Sequence, residues 1–239
     1  DTEDLINVIE YPTIVESVRY NSRETKIISS CHDGVARINN IENGFLLKEL
    51  KNGHPAWIGS VVFNSKNNVL IASAPHSKKI LVMDVLSGNS IDSLYGTEGV
   101  CSLALDHKDS LVAGLQLNGK CVFWELASKG LLDSIDTKHT LYKYYYVGDL
   151  EFSKDDNYIF SAGFDNEIKM WDLKNNNLLR SFQHPEWLGN SFDISYDGKL
   201  LATIPNTVWP STSPLDVFIK IWNIETGTIL KELPGATFV

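Results

Sequence analysis

The feature that most constrains this chain is an internal repeat. Four segments superpose: 28–41, 72–85, 113–126 and 160–173. Each carries a small residue, a turn four residues later and a bulky or aromatic position six beyond that. The triplets are Ser29, Asp33, Asn39; Ser73, Ser77, Met83; Gly114, Asn118, Trp124; and Ser161, Asp165, Trp171. A fifth copy ends at Asp216 and Trp222, its turn swollen by an insertion over 204–218. The last members are spaced 44, 41, 47 and 51 residues apart. A period of this size means one supersecondary unit repeated, each copy too small to bury its apolar face alone.

Within each copy the pattern is β. Short clusters such as Val61, Phe63 and Val69, Ile71 are separated by Asn-, Asp- and Ser-rich turns, and a helical period nowhere holds for three turns. The copy over 150–182 reads as strand, charged turn at 153–157, strand, tight turn at Asp165-Asn166, strand, turn at 175–177, strand. The fold class is therefore all-β, with about four antiparallel strands per copy.

Composition removes several function classes. Hydrophobic residues make up 43% and charged residues 21%, which excludes a disordered polar chain. Lys and Arg total 21 against 30 Asp and Glu, for a net charge of −9. That balance disfavours a general nucleic-acid surface or an anionic membrane surface. No apolar run approaches the roughly 20 residues of a spanning helix, so no membrane insertion is expected. The three cysteines, Cys31, Cys101 and Cys121, form no C-x-x-C pair and give neither a disulfide framework nor a zinc spacing. Free thiols and the lack of N-x-[ST] sites favour a reducing compartment, so the expected location is the cytoplasm, without excluding the nucleus.

The stretch Ser161-Ala-Gly-Phe-Asp165-Asn-Glu-Ile-Lys-Met-Trp171-Asp172 resembles the signature of the WD-repeat β-propeller family. Gly53-His54 resembles its opening dipeptide in another copy, and Ile219-Lys-Ile-Trp222 its third strand. The resemblance spans about residues 5–239. It implies a propeller of four-stranded antiparallel blades, here at about 13–50, 57–95, 99–135, 146–183 and 187–234. Residues 5–11 read as an extra outer strand before the first blade, while 228–234 already supply that of the fifth. A five-blade closure has no place for both, so a larger ring of the family's common seven blades is expected.

In that family a His before the first strand, a Ser or Thr on the second, the turn Asp and the third-strand Trp form a hydrogen-bonded set. The resemblance assigns His54, Ser73, Asp33, Ser161, Asp165, Trp171, His184, Asp216 and Trp222 to such structural networks. In the fourth copy the matching histidine would be His139, about four positions early relative to His54. Neither a Gly-rich phosphate loop nor an H-E-x-x-H or G-x-S-x-G motif is present, so neither catalytic residues, a metal nor a cofactor is expected.

Antiparallel parity puts the connections leading into the first strand and between the second and third at one end of each blade. That end carries aromatics: Trp57 and Trp187 in matching His-Pro-x-Trp contexts, Tyr144, Tyr145 and Tyr146, and Trp209 in the insertion. Aromatic residues are preferred interface anchors. The expected function is a scaffold or adaptor in a multiprotein complex, binding other proteins or peptides there. A docking region of a larger multidomain protein is the alternative, and an enzymatic or ligand-binding site at a central channel mouth the least favoured.

Overall fold

A side-chain cap begins each first hairpin and explains why the strands break where they do. Asn21 Oδ1 accepts the Thr25 and Lys26 N–H groups, each at 2.8 Å. Asn64 Oδ1 accepts those of Asn68 and Val69 at 3.0 and 2.9 Å. Asp106 Oδ1 accepts those of Ser110 and Leu111 at 2.7 and 2.8 Å. Ser153 and Ser195 do the same through Oγ to the N–H of Tyr158 and Leu200. Each cap is followed by a residue in the left-handed region: Glu24, Asn67, Asp109, Asp156 and Gly198. Short polar side chains offer the backbone this alternative to a continued ladder, and the chain reverses.

The computed structural model describes residues 8–51, 57–139, 148–163, 165–183, 188–205 and 218–234. They hold five four-stranded antiparallel sheets, each with its strands, here called a to d, in sequence order. The architecture is all-β, in blades of the expected strand order.

By compactness the chain divides into two units, residues 1–116 with 122–133, and residues 117–121 with 134–239. The first unit contains β1 (Val15–Tyr20), β2 (Lys26–Cys31), β3 (Val35–Asn40) and β4 (Leu46–Lys51) as one sheet. A second sheet has β5 (Ser60–Phe63), β6 (Val69–Ser73), β7 (Lys79–Asp84) and β8 (Ser90–Tyr95). The third sheet starts with β9 (Val100–Leu105) and β10 (Leu111–Gln116). Its remaining strands, β11 (Lys120–Glu125) and β12 (Leu131–Asp136), each have residues in both units. Ile28, Ile38, Leu50, Leu70 and Met83 pack in one core of the first unit. Ile71, Ile80, Leu94, Leu103, Val112 and Trp124 pack in another. Sheets covered on both faces need apolar or small residues at consecutive positions, so β6, β10 and β11 read as continuous buried runs rather than alternations.

The second unit contains β13 (Asp149–Phe152), β14 (Tyr158–Ala162), β15 (Glu167–Asp172) and β16 (Asn177–Gln183) as one sheet. Another has β17 (Leu188–Ile194), β18 (Leu200–Pro205), β19 (Phe218–Asn223) and β20 (Ile229–Pro234). Between them the core is aromatic. Phe160 lies 6.4 Å from Phe182 and 6.4 Å from Phe192, and Phe182 meets Trp222 edge-on at 5.9 Å.

The register between strands c and d shifts at Asn39, Met83, Trp171 and Trp222, the repeat's bulky position in four blades. The extra residue of each bulge lies on strand d, at Leu47, Ile91, Leu179 and Leu230, and is exposed, while strand c runs on unbroken.

Of the extra outer strand expected at 5–11, residues 5–7 lie outside the described residues. The described part, 8–11, is in no strand, and Pro12 follows it, a residue with no N–H for a ladder. Tyr11 instead donates its hydroxyl to Asn39 Oδ1 at 3.0 Å.

Candidate functional site

The densest polar constellation among the described residues lies in the sheet β13–β16. The His139 ring sits with Nδ1 at 2.7 Å from Asp165 Oδ1 and Nε2 at 2.8 Å from Ser161 Oγ. The Trp171 indole donates to the same Ser161 oxygen at 3.0 Å. Lys169 Nζ donates to Asp165 Oδ2 at 2.6 Å and to the Thr137 carbonyl at 3.2 Å, and stands 3.2 Å from Glu167 Oε2. Strands b and c position Ser161, Lys169 and Trp171, the b–c turn holds Asp165, and His139 follows β12.

Donor and acceptor rules orient the protons. An indole and an ammonium only donate, and an ionised carboxylate only accepts. With a neutral imidazole, His139 Nδ1–H donates to Asp165, and Ser161 donates to Nε2 while accepting from Trp171. Every described polar group of the set is then satisfied. Burial pushes the Asp165 carboxyl up. Hydrogen bonds from His139 and Lys169, with the Lys169 charge, outweigh it and hold the group below the ordinary range.

This order of Ser, His and Asp has the spacing of a nucleophile, its base and an orienting acid. The surroundings deny it that chemistry. Ser161 is fully buried, the His139 side chain is 0% exposed, and the indole occupies the Ser161 oxygen from the other side. An acyl donor has no approach. The set is a brace that fixes strands b and c against the chain entering the blade, costly to leave partly unpaired.

The other blades keep parts of this arrangement. In the sheet β17–β20 the Trp222 indole donates to Thr203 Oγ1 at 3.0 Å. Thr203 was missed in the sequence because the insertion places it 19 residues before its tryptophan rather than the 10 of Ser161 and Trp171. In the sheet β9–β12 the serine position is Gly114, and the Trp124 indole turns to the Tyr95 carbonyl at 3.0 Å. In the first blade Asn39 replaces the tryptophan and bonds the Gly44 carbonyl at 3.1 Å, while Asp33 grips Arg37 at 2.6 Å. The Arg37 hydrogen bond is the main cause holding the Asp33 carboxyl below its ordinary range. In the second blade Ser73 and Met83 are both buried, and Ser77 Oγ caps the turn at Lys79 N–H.

Of the aromatic candidates, Trp57 is described. It is half-buried with φ +34°, its ring 4.4 Å from His32 and 5.8 Å from His76, and His32 pairs with Glu16. Tyr144, Tyr145, Tyr146, Trp187 and Trp209 lie outside the described residues, as do His54, His184 and Asp216. All three cysteines are buried and unbridged, and burial pushes the Cys121 thiol far up, away from thiolate chemistry. Among the described residues no cluster of three or more His, Cys, Asp or Glu could hold a metal, and no helix is long and apolar enough to cross a membrane.

Blades of four antiparallel strands, one braced by His, Ser, Asp and Trp, define a WD-type β-propeller architecture. Comparison with known proteins agrees. Residues 136–172 match the family model described as WD domain, G-beta repeat. The match begins at Asp136 and so takes in His139. The chain is 26% identical over 183 residues to Autophagy-related protein 16 of Arabidopsis thaliana, covering 76% of this chain and 33% of that protein. It is 25% identical over 265 residues to THO complex subunit 3 of the same plant, covering 92% and 79%. A Coronin-like protein of Saccharomyces cerevisiae is 28% identical over 82 residues, covering 34% and 11%. The chain thus spans only a third of the first of these relatives. The chain is similar to WD-repeat proteins, and its fourth blade matches their repeat.

Proposed function

We propose that this protein is a non-catalytic scaffold or adaptor that binds other proteins or peptides through the aromatic-bearing loops at one end of its blades. The observation that carries this reading is Trp57. A bulky residue at positive φ is an outlier, and such strain persists where a site requires it. Its ring is half-buried between His32 and His76, an amphipathic anchor with part of its surface still open. The burial of Ser161 and His139 supports the non-catalytic part. One relative is by name a subunit of a complex, which supports a role within an assembly. The net charge of −9 favours a neutral or basic protein partner over nucleic acid.

The test compares wild type with a Trp57→Ala/Trp209→Ala double variant in quantitative pull-downs from the source lysate, after both are shown to be folded. Truncating a true anchor costs at least ~2 kcal/mol, roughly thirtyfold in affinity. Equal recovery of the same partners by both proteins overturns the reading.

A second reading follows from the 33% coverage of Autophagy-related protein 16: the blades are the docking region of a larger chain. The mass of the native polypeptide decides between the two.

A further inference from the structure

Asn-Gly pairs occur at Asn43-Gly44, Asn52-Gly53 and Asn118-Gly119, the second outside the described residues. A glycine after asparagine leaves the next backbone nitrogen unshielded by any Cβ, so that nitrogen can reach the side-chain amide carbon. Asn118 is exposed, and its Oδ1 accepts the Lys120 N–H at 3.0 Å. That bond folds the amide back over the Gly119 peptide unit. The same N–H is aimed at the oxygen that gains negative charge when the amide carbon is attacked.

Asn43 is arranged alike, its Oδ1 accepting the Phe45 N–H at 3.0 Å. The two pairs differ at the attacking nitrogen. Gly44 donates its N–H to the Asn40 carbonyl at 2.9 Å and must break that bond before it can lose its proton. Among the described hydrogen bonds Gly119 takes part only as an acceptor, its carbonyl receiving Thr137 N–H at 3.1 Å and the Thr137 hydroxyl at 2.7 Å.

We propose that Asn118 is a site of spontaneous deamidation and isomerisation, and that its product acts on the brace of the fourth blade. The Gly119 nitrogen, in a buried residue flanked by exposed Asn118 and Lys120, gives its proton to hydroxide and bonds to Asn118 Cγ. The Cγ–Nδ2 bond breaks and ammonia leaves, giving a cyclic succinimide. Water then opens the ring at one carbonyl or the other, yielding aspartate or isoaspartate, with no oxidant or reductant involved. Aspartate is benign, since this position is the register of Asp33 and Asp165 in other copies. Isoaspartate inserts a methylene into the backbone where there is no slack. Gly119 has φ +78°, and a Cβ on it would stand 3.0 Å from the His139 carbonyl oxygen. The Gly119 carbonyl holds Thr137, whose own carbonyl receives Lys169, and His139 reaches Asp165 and Ser161. Displacing Gly119 therefore loosens the contacts around Trp171.

The experiment holds the folded protein at mildly alkaline pH and body temperature, then maps acid and isoacid at both positions by mass spectrometry after acidic digestion. The expected result is conversion several-fold faster at Asn118 than at Asn43, with the difference shrinking in denaturant. Equal rates in the folded protein, or faster loss of Asn43, overturn the site. For the consequence, Asn118→Asp should melt with wild type, while the aged isoaspartate fraction melts lower. If the aged fraction melts with wild type, position 118 is not coupled to the brace.

Discussion

Trp171 and Ser161 are joined by an indole-to-hydroxyl hydrogen bond of 3.0 Å inside the fully buried part of their sheet. Because the Ser161 oxygen accepts the indole proton, its own hydroxyl proton is left to face His139 Nε2. The tryptophan is thus both core filler and the end of a proton-ordered chain.

Truncating it removes both roles. Trp171→Ala should destabilise by about 3–5 kcal/mol, the range for emptying a large aromatic site in a packed core. Met83 occupies the same register in the second blade as a flexible thioether, so Met83→Leu should cost less than about 1.5 kcal/mol. Denaturant melts rank the two. The opposite order would show that the repeat register does not predict burial.

Gly114 occupies the serine register in the third blade, yet restoring the serine should harm the protein. A Cβ there would lie 2.9 Å from Trp124 Cζ3 and 3.0 Å from Val100 Cγ1, both in a buried core. The indole is already satisfied by the Tyr95 carbonyl, so a new hydroxyl offsets nothing. Gly114→Ser should lose about 1–3 kcal/mol by overpacking. A variant as stable as wild type by urea melt would refute the tight fit.

The repeat was legible because its turn and tryptophan positions recur in number and spacing. The strand order followed from hairpin turns between short apolar runs. His139 looked out of step because 11 residues separate it from Leu150, against 7 between His54 and Val61. The added length falls after the histidine, so the ring still reaches Asp165. Thr203 was hidden by an insertion of the same kind between strands b and c. The caps at Asn21, Asn64, Asp106, Ser153 and Ser195 escaped notice because three residue types perform one task, and only the hydrogen bonds reveal it. Trp57 could be placed at a loop end from parity, but its contacts with His32 and His76 depend on three separate loops meeting.

Asp165 ties stability to pH. Its carboxyl is held below the ordinary range by His139 and Lys169 despite burial. A depressed folded-state value means the stabilisation is fully present above the unfolded value, near 3.9, and is lost as pH falls through the folded value. Asp33, held down by Arg37, contributes in the same direction. Asp165→Asn should lower stability at neutral pH and flatten the acid limb of the stability curve. Urea melts from neutral to acid pH check it. An acid limb as steep as that of wild type would place the proton uptake elsewhere.

Thr203 and Trp222 make the fifth blade's only described counterpart of the Ser161–Trp171 bond, at 3.0 Å between two buried residues. Thr203→Val keeps the shape and removes the acceptor. The indole N–H is then left buried without a partner, which costs about 1–3 kcal/mol. Thr226 and Thr228 share a hydrogen bond too, but in an exposed turn. There water replaces the lost partner, and Thr226→Val should stay within about 0.5 kcal/mol of wild type. Replacing both partners together, Thr203→Val with Trp222→Phe, adds the cost of a smaller ring but removes the stranded donor. A double-mutant cycle should therefore show the two changes costing less together than the sum of each alone. Strict additivity would mean that the indole finds another acceptor and that Thr203 is packing alone.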